Sequence, residues 1–449
     1  MEYEEIAEIY NDVSHPKKIK KNKTKENITN IIFDSNKKIN ITYISIFFTI
    51  FIILSIFLYI KKINLFNIEI EQKIEKFVQM IPKVDKNEIN EFRRINSYNI
   101  LINNNEKIIE KNKNPDISII LTSNNQAHCI HKALRSIQNQ SLKNIEIIVS
   151  IDCSYDNSTE VIKSYMEKDK RIILIEHDTK EGTMKNRIDG IRKAKGKYIT
   201  IVDGDDALIQ KNILKNSLDI ATLGNLDIVE FYGYSYLKGE RKNIIHYHNN
   251  VNGIIRQPEL RTKFFNINEN NTYFAMSCRV IWGKIVKNEI FQKTLKKIDP
   301  KYTDNYMLVF EDCLLSITLY QVAQSFYLYK EVGYYYSRDE SSGKFPPLPN
   351  KKCKIKAEPN TGLDSLKLIT YLYDTFEDNE FDRRVICHEI IGTNNFIFLK
   401  YSNKVKDHFD MFYRVVNGLL KTNYLTKIER EKLIEIKKEV IKKENSLKK

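Results

Sequence analysis

At 449 residues with 42% hydrophobic side chains, the chain can hold one large domain with accessories, or two to three domains with real cores. A net charge of +14 raises nucleic acid as a partner, but the basic residues are dispersed apart from runs before an apolar segment and at the C-terminus, which argues against it. The six cysteines are widely spaced, with no CxxC and no Cys/His pair at zinc spacing, which argues against a zinc site and leaves the redox compartment open.

Residues 1–40 open acidic (Glu2, Glu4, Glu5, Glu8), turn basic from Lys17 to Lys25, and carry few large apolar groups at any period, as expected of a disordered tail. Ile41–Ile60 is different in kind, with no charged residue in 20 positions. As a helix it would span about 30 Å, the thickness of a bilayer core. A buried core helix is the alternative. Tyr43 and Tyr59 near the ends and the flanking Lys37, Lys38, Lys61 and Lys62 favour a membrane span. Lysine is denser on the N-terminal side, so the expected topology is type II, with residues 1–40 in the cytosol and the bulk of the chain outside it. Residues 61–115 read as a stem or linker punctuated by Pro82 and Pro115.

From Asp116 the pattern alternates between strands and helices. Strands are expected at Ile117–Leu121, Ile145–Ile151, Ile172–Glu176 and Lys197–Val202, with helices at Ala127–Asn139, Ser158–Lys168 and Thr183–Lys193 between them. This predicts an α/β domain over 116–345 with a mostly parallel sheet and covering helices. Each of these strands runs into polar groups: Thr122–Asn125, Asp152, His177-Asp178 and Asp203–Asp206. Ligands of open α/β sheets bind beyond the carboxyl ends of the strands, so this convergence predicts a site without reference to any motif. At its centre, Asp203-Gly204-Asp205-Asp206 sets three carboxylates in four positions. Their mutual repulsion is relieved by a divalent cation, which also lets them hold a diphosphate. A solvated acidic turn is the alternative. Gly204 is expected to keep the turn tight and leave a ligand room at the backbone.

The second half is less regular. Strands are expected at Ile228–Tyr236, Asn243–His248 and Tyr327–Tyr336, and an apolar helix at Cys313–Ala323 after Phe310-Glu311-Asp312. Residues 346–449 read as a helical extension, with apolar faces at Leu366–Phe376, Val385–Phe398 and Phe409–Leu420 and a charged last helix at Lys427–Lys443.

Taken in order, the motifs of residues 116–343 resemble family 2 of the inverting glycosyltransferases, in its surface- and capsular-polysaccharide branch. Ala133–Leu142 is similar to the family's "L-x-S-h-x-x-Q-[ST]-h" helix end. Ile151–Ser158 is similar to "D-D-G-S-x-D-x-S", and Glu181-Gly182 with Arg187 and Gly190 to "G-x-x-x-A-R-N-x-G". Ile281–Lys284 is similar to "V-W-N-K", Glu311-Asp312 to "E-D", and Tyr334–Arg338 to "Y-Y-x-R". The resemblance implies a GT-A, Rossmann-like fold and hexosyl or N-acetylhexosaminyl transfer from a nucleotide-diphosphate sugar to a glycan, lipid or protein acceptor, with Mn²⁺ or Mg²⁺. It implies nucleotide-sugar contacts from Thr122, Asn125, Asp152, Arg187 and Asp203, and a metal held by Asp203 and Asp205. Asp312, with Glu311 beside it, would be the base, and Trp282 and Lys284 would line the acceptor side. The sequence departs from the pattern at Ile151, Cys153 and Thr122, which stand for the family's first Asp, its Gly and its opening Pro, and at Asn186-Arg187-Ile188 for "A-R-N". The competing reading is a catalytically inactive relative that binds a sugar nucleotide or scaffolds other transferases. A Golgi or ER membrane with a lumenal domain is expected. A sequon at Asn157, inside the nucleotide motif, weighs the other way, because a glycan there would obstruct the site.

Overall fold

In a computed structural model of the chain, the described residues are 41–82, 108–237, 240–245, 251–265, 280–303, 307, 310–338, 354–355, 361–394 and 408–447. The expected tail, most of the expected stem and the segments 266–279 and 341–349 lie outside them.

Ile41–Met80 is one unbroken helix, α1, of 40 residues. At about 1.5 Å per residue it is roughly 60 Å long, so the helix outlasts the apolar run and continues through the first part of the expected stem. Lys73 and Glu69, one turn apart and 3.1 Å from each other, support that polar half. It ends just before Pro82, where the preceding residue is forced out of helical backbone. The side chains of Ile50–Ile60 are exposed, unlike those of a core helix, and α1 is long and apolar enough to cross a membrane.

The second unit is built on a mixed sheet. In chain order its elements are β1 (Ile117–Ser123), α2 (Ile130–Gln138), β2 (Ile145–Ile151), α3 (Ser158–Lys168), β3 (Ile172–Glu176), β4 (Thr179–Lys180), α4 (Thr183–Lys193) and β5 (Tyr198–Asp203). Then follow β6 (Ala207–Leu208), α5 (Ile213–Gly224), β7 (Ile228–Leu237), β8 (Glu240–Ile245), β9 (Ile254–Arg256), α6 (Glu259–Phe264), β10 (Lys284–Lys287), α7 (Asn288–Lys297), α8 (Pro300–Thr303), α9 (Glu311–Val322) and β11 (Ser325–Ser337). The strand order is β3-β2-β1-β5-β10-β7-β11-β6. The first four strands are parallel, as the alternating pattern predicts, and β10 then joins β5 antiparallel. The chain winds outward from β1 through β2 to β3 and returns to β5 on the other side of β1. The carboxyl ends of β1 and β5 therefore flank a topological switch point, the place where open α/β sheets bind ligands.

Local chemistry fixes this half closely. All seven residues of β1 and of β2 are buried, as in strands covered on both faces, and most of their few polar side chains are taken up by partners inside. Helix α4 lies close on β1, since a Cβ on Gly190 would stand 2.4 Å from Ile120 Cγ2. The buried Glu146 accepts from Ser118 Oγ and from the Lys195 N–H, both at 2.6 Å, and so locks the α4–β5 turn to the sheet.

The C-terminal region is helical as expected: α10 (Thr361–Thr375), α11 (Glu380–Glu389), α12 (Phe409–Lys421) and α13 (Lys427–Leu447). Helix α11 starts five residues before the expected Val385, where Asn379 caps it by accepting from the Asp382 N–H at 2.9 Å. It passes into a π turn at Ile390–Asn394. Leu366, Leu372, Val385, Val416 and Val440 belong to the same buried cluster as Ile120, Ile188 and Leu314, so these helices share the core of the sheet. A short strand, β12 (Lys354–Ile355), pairs parallel with β4.

Candidate active site

Register places the site. In the β1–β5 ladder Thr122 stands opposite Asp203, and in the β1–β2 ladder Ser123 stands opposite Ile151. Asp152, Thr122 and Asp203 therefore emerge side by side, and a cleft of about 300 Å³ opens there. Thr122, Asp152, Arg187, Asp203 and Asp205 all line it.

Arg187 organises the acidic side. It lies on α4, is 3% exposed, and faces three carboxylates. One Nη donates to Asp203 Oδ1 at 2.8 Å and the other to Glu311 Oε1 at 2.9 Å and to Asp312 Oδ1. The Thr122 hydroxyl also donates to Asp203 Oδ1, at 3.0 Å. One guanidinium thus joins the end of β5 to the first turn of α9. One positive charge cannot neutralise three negative ones, so the cluster favours a retained proton. Glu311 is the most enclosed of the three, with 10% of its side chain exposed against 22% for Asp203 and 25% for Asp312. Burial pushes its carboxyl up to about 7 against the opposing pull of Arg187. Asp312, the more open neighbour, keeps a route to solvent. Phe310, which starts α9, sits in left-handed backbone (φ +67°), a conformation a residue with a Cβ rarely adopts. It turns the chain so that both acids enter the cluster on the helix's first turn.

Asp206 has a different part. It is 1% exposed and accepts from the Tyr334 hydroxyl at 2.7 Å and the Ser337 N–H at 2.8 Å, which ties the acidic turn to β11. Burial, then the charges of Asp205 and Asp203, push its carboxyl well above the usual range. Among the described residues no three His, Cys, Asp or Glu side chains are grouped to hold a metal. Asp203 and Asp205 could supply at most a two-carboxylate seat, which suits a hard cation that takes its other ligands from phosphate and water.

Several expected residues are placed elsewhere. Asn125 is not in the cleft wall. Its Oδ1 accepts from the Tyr155 N–H at 2.7 Å and its own N–H donates to Ser154 Oγ at 3.1 Å, so it stitches the β1 loop to the β2 loop in left-handed backbone (φ +53°). Lys284 is fully buried on β10, 2.8 Å from Glu230, whose carboxylate also accepts from Tyr320. It is a core ion pair with no face toward an acceptor. Trp282 is 4% exposed and stacks on Tyr334 and Tyr336, with ring centroids 4.5 and 5.5 Å away. It backs the cleft wall through Tyr336 without touching the cleft. The space beside Gly204 on its Cβ side is filled by Gln126, whose Oε1 would lie 2.3 Å from an added Cβ, so the glycine is needed for packing there. Asn157 is exposed and lies outside the cleft wall. Cys153 is disulfide-bonded. Lys180, which the sequence reading passed over, and Tyr336, quoted there only as part of the Tyr334–Arg338 motif, both line the cleft. Tyr334 and Tyr336 share one face of β11, and that two-residue period was the available signal.

Residues 118–293 match the profile of glycosyl transferase family 2. The chain thus carries a glycosyl transferase family 2 domain over those residues. Similar curated proteins include glycosyltransferase GlyA of Streptococcus pneumoniae, at 29% identity over 48% of this chain and 30% of that protein. Two others are the GalNAc(5)-diNAcBac-PP-undecaprenol beta-1,3-glucosyltransferase of Campylobacter jejuni, at 36% identity over 21% and 31%, and the uncharacterized glycosyltransferase EpsJ of Bacillus subtilis, at 28% over 40% and 50%. The chain thus spans half or less of the length of these three relatives. Among solved structures, residues 1–349 of S. aureus TarS in complex with UDP share the fold. The TM-score is 0.53 at 14% identity, over 74% of this chain and 90% of that one. The sheet order of the family 2 domain here is that of a GT-A fold.

Proposed function

We propose that this family 2 protein transfers a sugar from a nucleotide-diphosphate sugar to an acceptor hydroxyl, in one inverting displacement, while anchored to a membrane by α1. The observation that carries the proposal is the shared guanidinium. Asp203 and Asp312 lie more than 100 residues apart and are held within one side chain of each other at the mouth of a strand-end cleft. A carboxylate that ends β5 at the donor side and a partly open carboxylate on α9 are the two groups that a direct displacement needs. UDP in the TarS complex supports the donor class, and the names of the curated relatives support sugar transfer.

Asp312 acts as the base. Its contact with Arg187 holds it at the mouth of the cleft, and its exposed side lets an acceptor hydroxyl approach within hydrogen-bond reach. Arg187 fixes the distance between that base and the donor acid. Thr122 orients Asp203. Asp203 and Asp205 are the residues that would hold Mn²⁺ or Mg²⁺, which when bound would supply positive charge against the diphosphate.

The half-cystine at Cys153 supports a catalytic domain on the oxidising side of the membrane, since disulfides persist there and are rare in the cytosol. This agrees with the lysine bias around Ile41–Ile60, and in a eukaryotic cell it corresponds to the lumen of the ER or Golgi. Protease protection in sealed vesicles tests the orientation: digestion of the domain from the cytosolic side refutes it.

The transfer reaction is tested with the purified full chain, a panel of nucleotide sugars and Mn²⁺, beside Asp205→Ala. Metal-dependent donor turnover lost in the variant is the expected result. Donor binding without turnover on any acceptor class points instead to an inactive, nucleotide-binding relative.

A further inference from the structure

Tyr334, Trp282 and Tyr336 form one stack. The indole lies nearly parallel to both phenol rings, at 9° and 16°, with centroids 4.5 and 5.5 Å away. Tyr334 and Tyr336 are two residues apart on β11, roughly 6.7 Å by strand rise, which leaves room for one ring between them. Trp282 fills that gap and packs against Gly233 of β7, where an added Cβ would stand 2.9 Å from its ring. The stack is anchored to the acidic turn, because the Tyr334 hydroxyl and the Ser337 N–H both donate to the Asp206 carboxylate.

Strand direction decides which ring ends the stack. β11 is parallel to β7, and β7 and β5 are both antiparallel to β10, so β11 runs the same way as β5. Tyr336 therefore stands nearer than Tyr334 to the carboxyl ends of the strands, where the cleft opens. Its ring leans on Trp282 from one side, is half-buried, and lines the cleft beside Asp203, Asp205 and Asp206. Among the described residues no second ring stacks on it. A rigid aromatic face set in a polar cleft suits a ligand with an apolar face and polar edges. A pyranose is such a ligand. Its axial C–H bonds carry partial positive charge toward the negative face of the ring, and its hydroxyls are left for the carboxylates.

Two sugars meet in a transfer reaction. The one that is moved is tethered to the cleft through its diphosphate. The one that receives it has no such tether, so its hold comes from the protein's own surfaces. We propose that Tyr336, braced by Trp282, is the platform on which the acceptor stacks, and that the acceptor hydroxyl therefore belongs to a sugar ring and not to a protein side chain. This rests on the transfer reading given under Proposed function.

The test uses the detergent-solubilised full chain with Mn²⁺ and the nucleotide sugar it turns over. The acceptors are the methyl glycosides of glucose, galactose and N-acetylglucosamine, beside a Ser/Thr peptide and glycerol. The wild type is expected to transfer to at least one glycoside and to leave the peptide and glycerol unmodified. Tyr336→Leu, which keeps apolar bulk without a ring, is expected to raise the acceptor KM about 10-fold, the order one aromatic face contributes, with the donor KM moving less than about 2-fold. Tyr336→Phe keeps the ring and is expected to behave as the wild type. Saturation-transfer NMR is expected to mark the C–H protons of one face of the glycoside with wild type and Tyr336→Phe, and to lose that pattern with Tyr336→Leu. An unchanged acceptor KM in Tyr336→Leu overturns the inference. So does a Tyr336→Phe protein as impaired as Tyr336→Leu, because the hydroxyl and not the ring face then matters, and so does an equal rise in donor KM, which places the ring on the donor. A wild type that hydrolyses a donor but modifies the peptide and no glycoside sinks the platform alone. A wild type that turns over no nucleotide sugar sinks the transfer reading and this inference with it.

Discussion

Replacing Arg187 by methionine keeps the volume of the side chain and removes the charge that Asp203, Glu311 and Asp312 share. The site is 3% exposed, so water cannot take over the guanidinium's role. Breaking a buried ion pair from one side costs about 3–5 kcal/mol, and here three acids are left facing one another. Their one escape is to bind protons, each unit of upward shift being worth about 1.4 kcal/mol. Carboxyls whose folded pKa lies above the unfolded value weaken the fold as pH rises, because the unfolded chain then binds fewer protons than the folded one. The deficit of Arg187→Met is therefore expected to be small near pH 5 and to reach about 3–5 kcal/mol by pH 8. Urea unfolding of wild type and variant at both pH values measures it. Trp282 is the sole tryptophan and stacks on Tyr334, the residue bonded to the acidic turn, so its fluorescence reports on this region. A deficit below 1 kcal/mol, or one equal at pH 5 and pH 8, refutes the shared-charge account of the cluster.

Other outcomes follow from the same geometry. Asp312→Asn is expected to lower kcat by about 10²–10⁴ with the donor KM nearly unchanged, since a base contributes that much and does not hold the nucleotide; an equal rise in donor KM would place Asp312 on the donor instead. Glu311→Gln mimics the protonated acid, whose pKa stands at about 7 against an ordinary 4.5. Its wild-type cost is present above the folded value and absent below the unfolded one. The variant's urea midpoint should therefore rise above wild type at pH 8 and match it at pH 4, and the reverse order would contradict the assignment. Lys284→Met leaves Glu230 buried without its cation and is expected to cost about 3–5 kcal/mol, most of it recovered in Lys284→Met/Glu230→Gln, with acceptor KM unchanged. A selective rise in acceptor KM would return Lys284 to the acceptor side.

The sheet and its cleft were legible because local signals agreed with each other. β2, β3, α3 and α4 have the bounds the pattern predicts, since apolar runs of five to seven residues are bounded by polar turns. Strands that lie parallel and consecutive present their carboxyl ends together, so Asp152 and Asp203 had to converge once the alternation was recognised. What the pattern could not carry is which way a side chain turns when two partners compete for it. Lys284 and Glu230 are 54 residues apart in sequence and meet only because β10 pairs with β7, a non-local pairing with no local mark. Asn125 looks like a ligand residue by type, yet left-handed backbone spends its amide on the neighbouring loop.

Arg187 shows the same limit at the centre of the site. On α4 it is one basic residue among several, and helical arginines are mostly solvated. What distinguishes it is that α4 crosses β1 closely enough for Gly190 to touch Ile120, which presses the same helix face against the switch point. The acids that meet it there come from β5 and α9, and α9 is aimed by a single left-handed residue, Phe310. The base is thus positioned by backbone geometry and the donor acid by strand register, and Arg187 joins two constraints that have no common origin in the sequence. A residue in that position is set by the fold as a whole, and for that reason its substitution is the sharpest probe of whether the two halves of the site act as one.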